Sequence, residues 1–129
     1  MNSFFKVITL CAIILLSAPA IAQDKLDIFQ VFHQFLLANH AASKCIKPDR
    51  EILGKFLGNF QVVWIRSAME IQKRNPKHTK EEIERFMKAK SDLQDQRVKE
   101  IIQSNGCNDP RIQDLIKRFY IQANLQLGK

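Results

Sequence analysis

A chain of 129 residues, 46 % of them hydrophobic and 26 % charged, has the length of one domain rather than two. Its 20 Lys and Arg against 13 Asp and Glu give a formal charge of +7, which favours anionic partners over cationic ones. It holds no repeat, no low-complexity tract and no apolar run of the roughly 20 residues that a spanning helix needs, so neither a solenoid nor a membrane-spanning helix is expected.

The opening stretch MNSFFKVITLCAIILLSAPAIA reads as a secretory leader. Lys6 supplies the positive start, residues 7–16 the apolar centre, and Ala20-Ile21-Ala22 the small-x-small cleavage pattern. Leu10 before Cys11 stands where a lipid-attachment signal wants a small residue, so a lipoprotein is not expected. Removing residues 1–22 leaves a mature chain of 107 residues that loses one Lys and no acid, hence a charge of +6. The expected location is the periplasm or the exterior, and the style of the leader points to a Gram-negative bacterium. The mature chain is not expected to cross a membrane.

Four amphipathic segments follow. The first, residues 24–43, has Asp24 as its cap, Asp27 beside the positive helix end, and apolar residues from Leu26 through Phe29, Phe32, Phe35 and Leu36 to Ala42 at three- and four-residue spacing. Lys47-Pro48 connects it to the second, residues 49–74, whose run Val62-Val63-Trp64-Ile65 is apolar almost all round and predicts the most buried helix. Asn75-Pro76 ends that segment, since a residue before proline avoids the helical region.

The third segment opens on Thr79 with Glu82 three positions later, a capping box, and stops at Asn105-Gly106. Its middle, KAKSDLQDQR, offers only Ala89 and Leu93 to a core, so residues 79–104 form either one exposed helix or two with a kink. Asp109-Pro110 starts the fourth in the favoured cap-then-proline order, with an apolar face from Ile112 to Leu127. No segment alternates as a strand would. The expected fold is all-α, an up-down four-helix bundle over residues 23–129.

Two cysteines remain after the leader, Cys45 in the first connection and Cys107 in the third. In an up-down bundle both connections lie at one end, and an even pair in a small exported domain reads as a disulfide. Without a C-x-x-C or a nearby His at ligand spacing, a redox or metal role is not expected.

Catalytic and metal chemistry have little to stand on here. His33, His40 and His78 accompany no recognisable nucleophile motif. His33 and His40 are seven apart, about 10 Å along a helix, too far for one metal ion. Glu51, Glu70 and Glu100 form no evident carboxylate pair. No cofactor or metal is expected, and no enzyme. The glycines of Gly54-Lys55-Phe56-Leu57-Gly58 suggest close approach of a neighbouring helix inside the bundle, with a flat self-association face as the rival use. The basic run KRNPKHTK, with Lys73, Arg74, Lys77 and Lys80, is the candidate interaction loop for an acidic protein or an anionic envelope component. Nucleic acid is not expected of an exported chain without interleaved exposed aromatics.

The function that follows is a small exported binding or interaction protein without catalysis, of the inhibitor, immunity or envelope-stress kind by architecture alone. The alternative is a carrier of a small apolar ligand within a Phe-lined bundle interior.

Overall fold

The computed structural model describes residues 27–129, so the leader, its cleavage site, Cys11 and Asp24 lie outside the described residues. Helix α1 (Ile28–Cys45) starts later than the sequence suggests, because Asp27 takes the cap position and accepts the Phe29 amide at 3.2 Å. Helix α2 (Arg50–Arg74) is capped by Asp49, which accepts the Ile52 amide at 2.9 Å. Helix α3 (Lys80–Asn105) carries the expected capping box between Thr79 and Glu82 and runs unbroken through KAKSDLQDQR. It stops at Gly106, whose φ of 77° is open to glycine at little strain. Helix α4 (Pro110–Ala123) begins at the Asp109 cap with proline in its first turn.

The bundle is not square. Helix α1 packs against all three others, and α4 fills the angle between α1 and α2, whereas α3 meets α2 and α4 only sparingly. The cause lies in α3 itself. It buries only Ile83, Met87, Gln94 and Val98, a line of positions four or seven apart and one side chain wide. Such a stripe can follow one neighbour but cannot reach a second.

Two clusters make the interior. Phe32, Phe35, Phe56 and Phe119 pack with Leu36, Val63 and Met87, and Phe56 meets Phe119 at 4.3 Å and Phe35 at 5.5 Å between ring centroids. Contacts at these separations add to the burial of each ring. The second cluster, Ala41, Val98, Ile112, Leu115 and Ile116, lies toward the end where Cys45 and Cys107 form a disulfide, with Cα atoms 5.7 Å apart.

The fourth helix ends at Ala123, before Leu127, which the sequence places on its face. Asn59, buried on α2, is the reason. Its Nδ2 donates to the carbonyls of Gln122 and Leu125, each at 2.8 Å, and its Oδ1 accepts the Leu127 amide at 3.4 Å. One side chain thus takes up the backbone groups that a helix end leaves orphaned. Leu127 still reaches the core, but from the tail.

The glycines of α2 are a correction. Gly54 and Gly58 face outward, and a Cβ built on either meets nothing within 4 Å, so no helix among the described residues approaches them. Helical spacing puts them on the same outer face as Ile65 and Met69, both exposed.

Two predictions follow from this packing. Opening the bridge by Cys45→Ser or Cys107→Ser frees a loop of 62 residues and should lower stability by roughly 4 kcal/mol. The double variant should unfold at the same denaturant midpoint as either single, and additive losses would contradict a shared bond. Gly54→Ala and Gly58→Ala should each raise stability by about 0.5–1 kcal/mol in urea unfolding, since helix propensity is the only thing that changes in an isolated chain.

Candidate functional site

The two clefts that α3 leaves open are unequal. The larger is a groove of about 680 Å³ at the end away from the disulfide, bounded by the first turns of α1, the last turn of α2 and the first turns of α3. Its apolar wall consists of Phe29, Phe32, Leu36, Ile71, Ile83 and Phe86. Phe32, Leu36 and Ile83 are buried and belong to the core, so the groove has a firm floor, while Phe86 remains 52 % exposed at its lip.

The rim is charged and mostly spoken for. Arg74 donates from Nε to Glu70 at 2.8 Å and lies 4.8 Å from the Phe29 ring centroid. Glu82 accepts the Thr79 amide at 2.8 Å and faces His78 Nδ1 at 3.3 Å; that amide, with the histidine second, holds its carboxyl below the usual range. Lys90 differs. Its Nζ sits 5.4 Å from the Phe86 ring centroid, and no carboxylate among the described residues lies within ion-pair distance of it. His33 lines the groove between these groups, and burial, then the positive charges of Arg97 and Lys90, push its pKa down.

The second cleft, about 570 Å³, lies between α3 and α4 over Leu37 and is flatter. Two of its arginines are paired with acids: Arg111 bonds Asp109 at 2.9 Å, and Arg118 bonds Asp114 at 2.8 Å and Gln34 at 2.7 Å. Arg97 reaches only the neutral Gln94 Oε1, at 3.4 Å, so what sets this cleft apart is its flatter shape and smaller volume.

A third constellation joins α1 to α3. His40 Nε2 lies 3.1 Å from Ser91 Oγ, and His40 Nδ1 lies 3.2 Å from Asp95 Oδ1. That is the connectivity of a nucleophile, a base and its orienting acid. None of the three lines either cleft, however. Ser91 also stands in mid-helix, where neighbouring amides are committed to the α-helical ladder instead of forming an oxyanion hole. Lys44 and Lys99 converge on the same Asp95, so the group ties two helices together. The Lys44 bond, above all, holds the Asp95 carboxyl low.

The residues singled out by sequence are scattered. Of Lys73, Arg74, Lys77 and Lys80, only Arg74 lines the groove; the other three are exposed, and Lys80 pairs with Glu84 at 3.8 Å. Glu51 pairs with Lys55 and Glu70 with Arg74, Glu100 accepts from Gln96, and none of these acids lines a cleft. His33 and His40 occupy different sites, and no group of three metal-binding side chains occurs among the described residues. The Phe-lined interior, the alternative place for an apolar ligand, holds Phe35, Phe56 and Phe119 fully buried, and the groove lies beside them. Phe86 and Lys90, neither of which the sequence singles out as a site residue, are four apart on α3. No helix among the described residues is long and apolar enough to cross a membrane.

No protein-family model matches the chain, and no curated protein or solved structure is significantly similar to it. What the chain does must follow from its own geometry.

The histidines make a pH dependence. Burial lowers the pKa of both His33 and His40 in the folded chain, against the raising effect of Asp95 in the second case. The unfolded chain then binds more protons than the folded one below about pH 6.5, so stability is full above that range and declines as pH falls through it. Asp95 and Asp109, whose pKa values are also depressed, add a second decline below the ordinary carboxylate range. Urea midpoints measured from about pH 7.5 down to about pH 5 should fall, and His40→Gln should flatten part of that fall; a midpoint that rises on acidification would contradict it.

Proposed function

We propose that this chain is an exported, non-catalytic binding protein that carries a small apolar ligand in the groove between α1, α2 and α3. The observation that carries the reading is the groove itself: about 680 Å³ of apolar-walled space on a packed floor, within the roughly 300–1,000 Å³ of small-molecule sites. Export rests on the leader-like sequence of residues 1–22 and on the disulfide, a bond that persists in oxidising compartments. Phe29, Phe32 and Phe86 supply aromatic contact, and the charged rim orients whatever polar group the ligand bears.

The sequence-based expectation of a protein-interaction module keeps one support. The outer face of α2 exposes Leu57, Ile65 and Met69 around two glycines that nothing covers. Large apolar side chains left exposed on one helix face can serve as a contact site. The anionic envelope surface expected to meet Lys73, Lys77 and Lys80 remains compatible with either reading, since those side chains lie outside the groove.

Trp64 offers a direct test. It is the single tryptophan, and it meets the ring of Phe32, a groove residue, at 5.4 Å between centroids. Titration with an environment-sensitive apolar dye should change Trp64 emission and saturate at one site. Phe86→Ala removes an exposed ring, so it should weaken dye binding about tenfold while leaving the unfolding midpoint in place. Dye that binds equally well to both proteins, or not at all, removes the support for a carrier and leaves the α2 face as the better reading.

A further inference from the structure

We infer that the groove selects a single-chain amphiphile with a carboxylate head, a long-chain fatty acid, and that Lys90 reads the head. The inference rests on the carrier reading and adds the ligand's chemical class to it. Three observations lead there.

The first is the division of the surface: six apolar side chains form one continuous wall, and the polar groups stand at its edge. A ligand matching that division has an apolar body and one polar end. Arranged as an open groove of about 680 Å³, the space suits one flexible chain lying along it and is small for a two-chain lipid.

The second is the sign of the unspent charge. Glu82, the acid on the rim, already accepts the Thr79 amide and faces His78, and Arg74 already holds Glu70. Of the lysines and arginines that line the groove, Lys90 alone has no carboxylate partner among the described residues. The positive field is felt locally, for Lys90 is one of the charges that disfavour protonation of His33.

The third is position. Lys90 Nζ lies 5.4 Å from the centroid of the Phe86 ring, so its charge hangs at the border of the apolar wall. An acyl chain against Phe86 brings its head within reach of that ammonium, and neutral His33 can donate one N–H to the same head. A carboxylate there forms a charge-assisted hydrogen bond. A neutral head leaves Lys90 partly stripped of water without a counter-charge, and a cationic head is repelled.

Hexadecanoate, hexadecanol and hexadecyltrimethylammonium, each below its aggregation threshold, would be titrated against the purified protein with Trp64 emission and calorimetry as readouts. Hexadecanoate should bind about tenfold more tightly than hexadecanol, with the cation weakest, and the gap should narrow as salt rises. Lys90 is exposed, so its replacement leaves the fold intact, as circular dichroism would verify. Lys90→Gln should bring hexadecanoate down to the level of the alcohol, and Lys90→Glu should reverse the order in favour of the cation. Equal binding of all three, unchanged by either variant but lost in Phe86→Ala, would overturn the head-group inference and leave the carrier reading standing. Binding of none of them would overturn both.

Discussion

The apolar stripe of α3 is one side chain wide, and most of the architecture follows from that narrowness. Ile83, Met87, Gln94 and Val98 are the positions it buries, and a helix so polar gains little from the hydrophobic effect when it docks. It packs along α1 and touches α2 and α4 only sparingly. Because it cannot also close on α2 and α4, a cleft opens on each of its flanks, and one of these is the candidate site. In a square bundle with broader stripes, the same four helices would have sealed both.

What α3 lacks in apolar contact is made up by devices along its C-terminal half. His40, Ser91, Asp95 and Lys44 bridge α1 and α3 at the middle, with the Asp95 carboxylate as the shared acceptor. Further on, the Cys45–Cys107 bond pins the end of α1 to the turn between α3 and α4. Its value lies in the unfolded state, where a closed loop of 62 residues has fewer conformations to lose. The first turns of α3 have neither device. There the helix relies on its capping box, on Ile83 and on Met87, and that is where the larger groove opens. The stapled end and the open end therefore have different physical characters within one small domain.

Local chemistry made much of this legible in the sequence. Thr79 with Glu82, Asp109 with Pro110, and Gly106 act within a few residues of themselves, and each sits where the pattern places it. Pairing two cysteines across 62 residues was possible because the order of the helices brings two connections to one end. Other features depend on contacts far apart in the chain. Asn59 looks like a polar break in an apolar run, yet it folds the C-terminal tail back by bonding carbonyls more than sixty positions away. Gly54 and Gly58 have the spacing of a helix contact, but spacing alone does not say which side of α2 faces the neighbours. Phe86 fits a core period and lies at a lip, because α3 turns its narrow stripe to α1 and leaves the adjacent position out. Lys90 carried no signal of its own. It matters only through what fails to pair with it.

That failure bears on how binding and stability would be joined. A chain lying in the groove touches α1, α2 and α3 together, and so provides the apolar contact that the sequence of α3 withholds. A ligand that binds only this docked arrangement stabilises it by mass action. The gain falls at the open end, for the far end is already fixed by the disulfide and by Asp95. Occupancy would then reach the first turns of α3 through Phe86 and Ile83, while the aromatic interior around Phe56 and Phe119 keeps its packing. A close-packed core with a loosely held fourth element beside it lets a domain this small form an apolar groove without opening its interior to water.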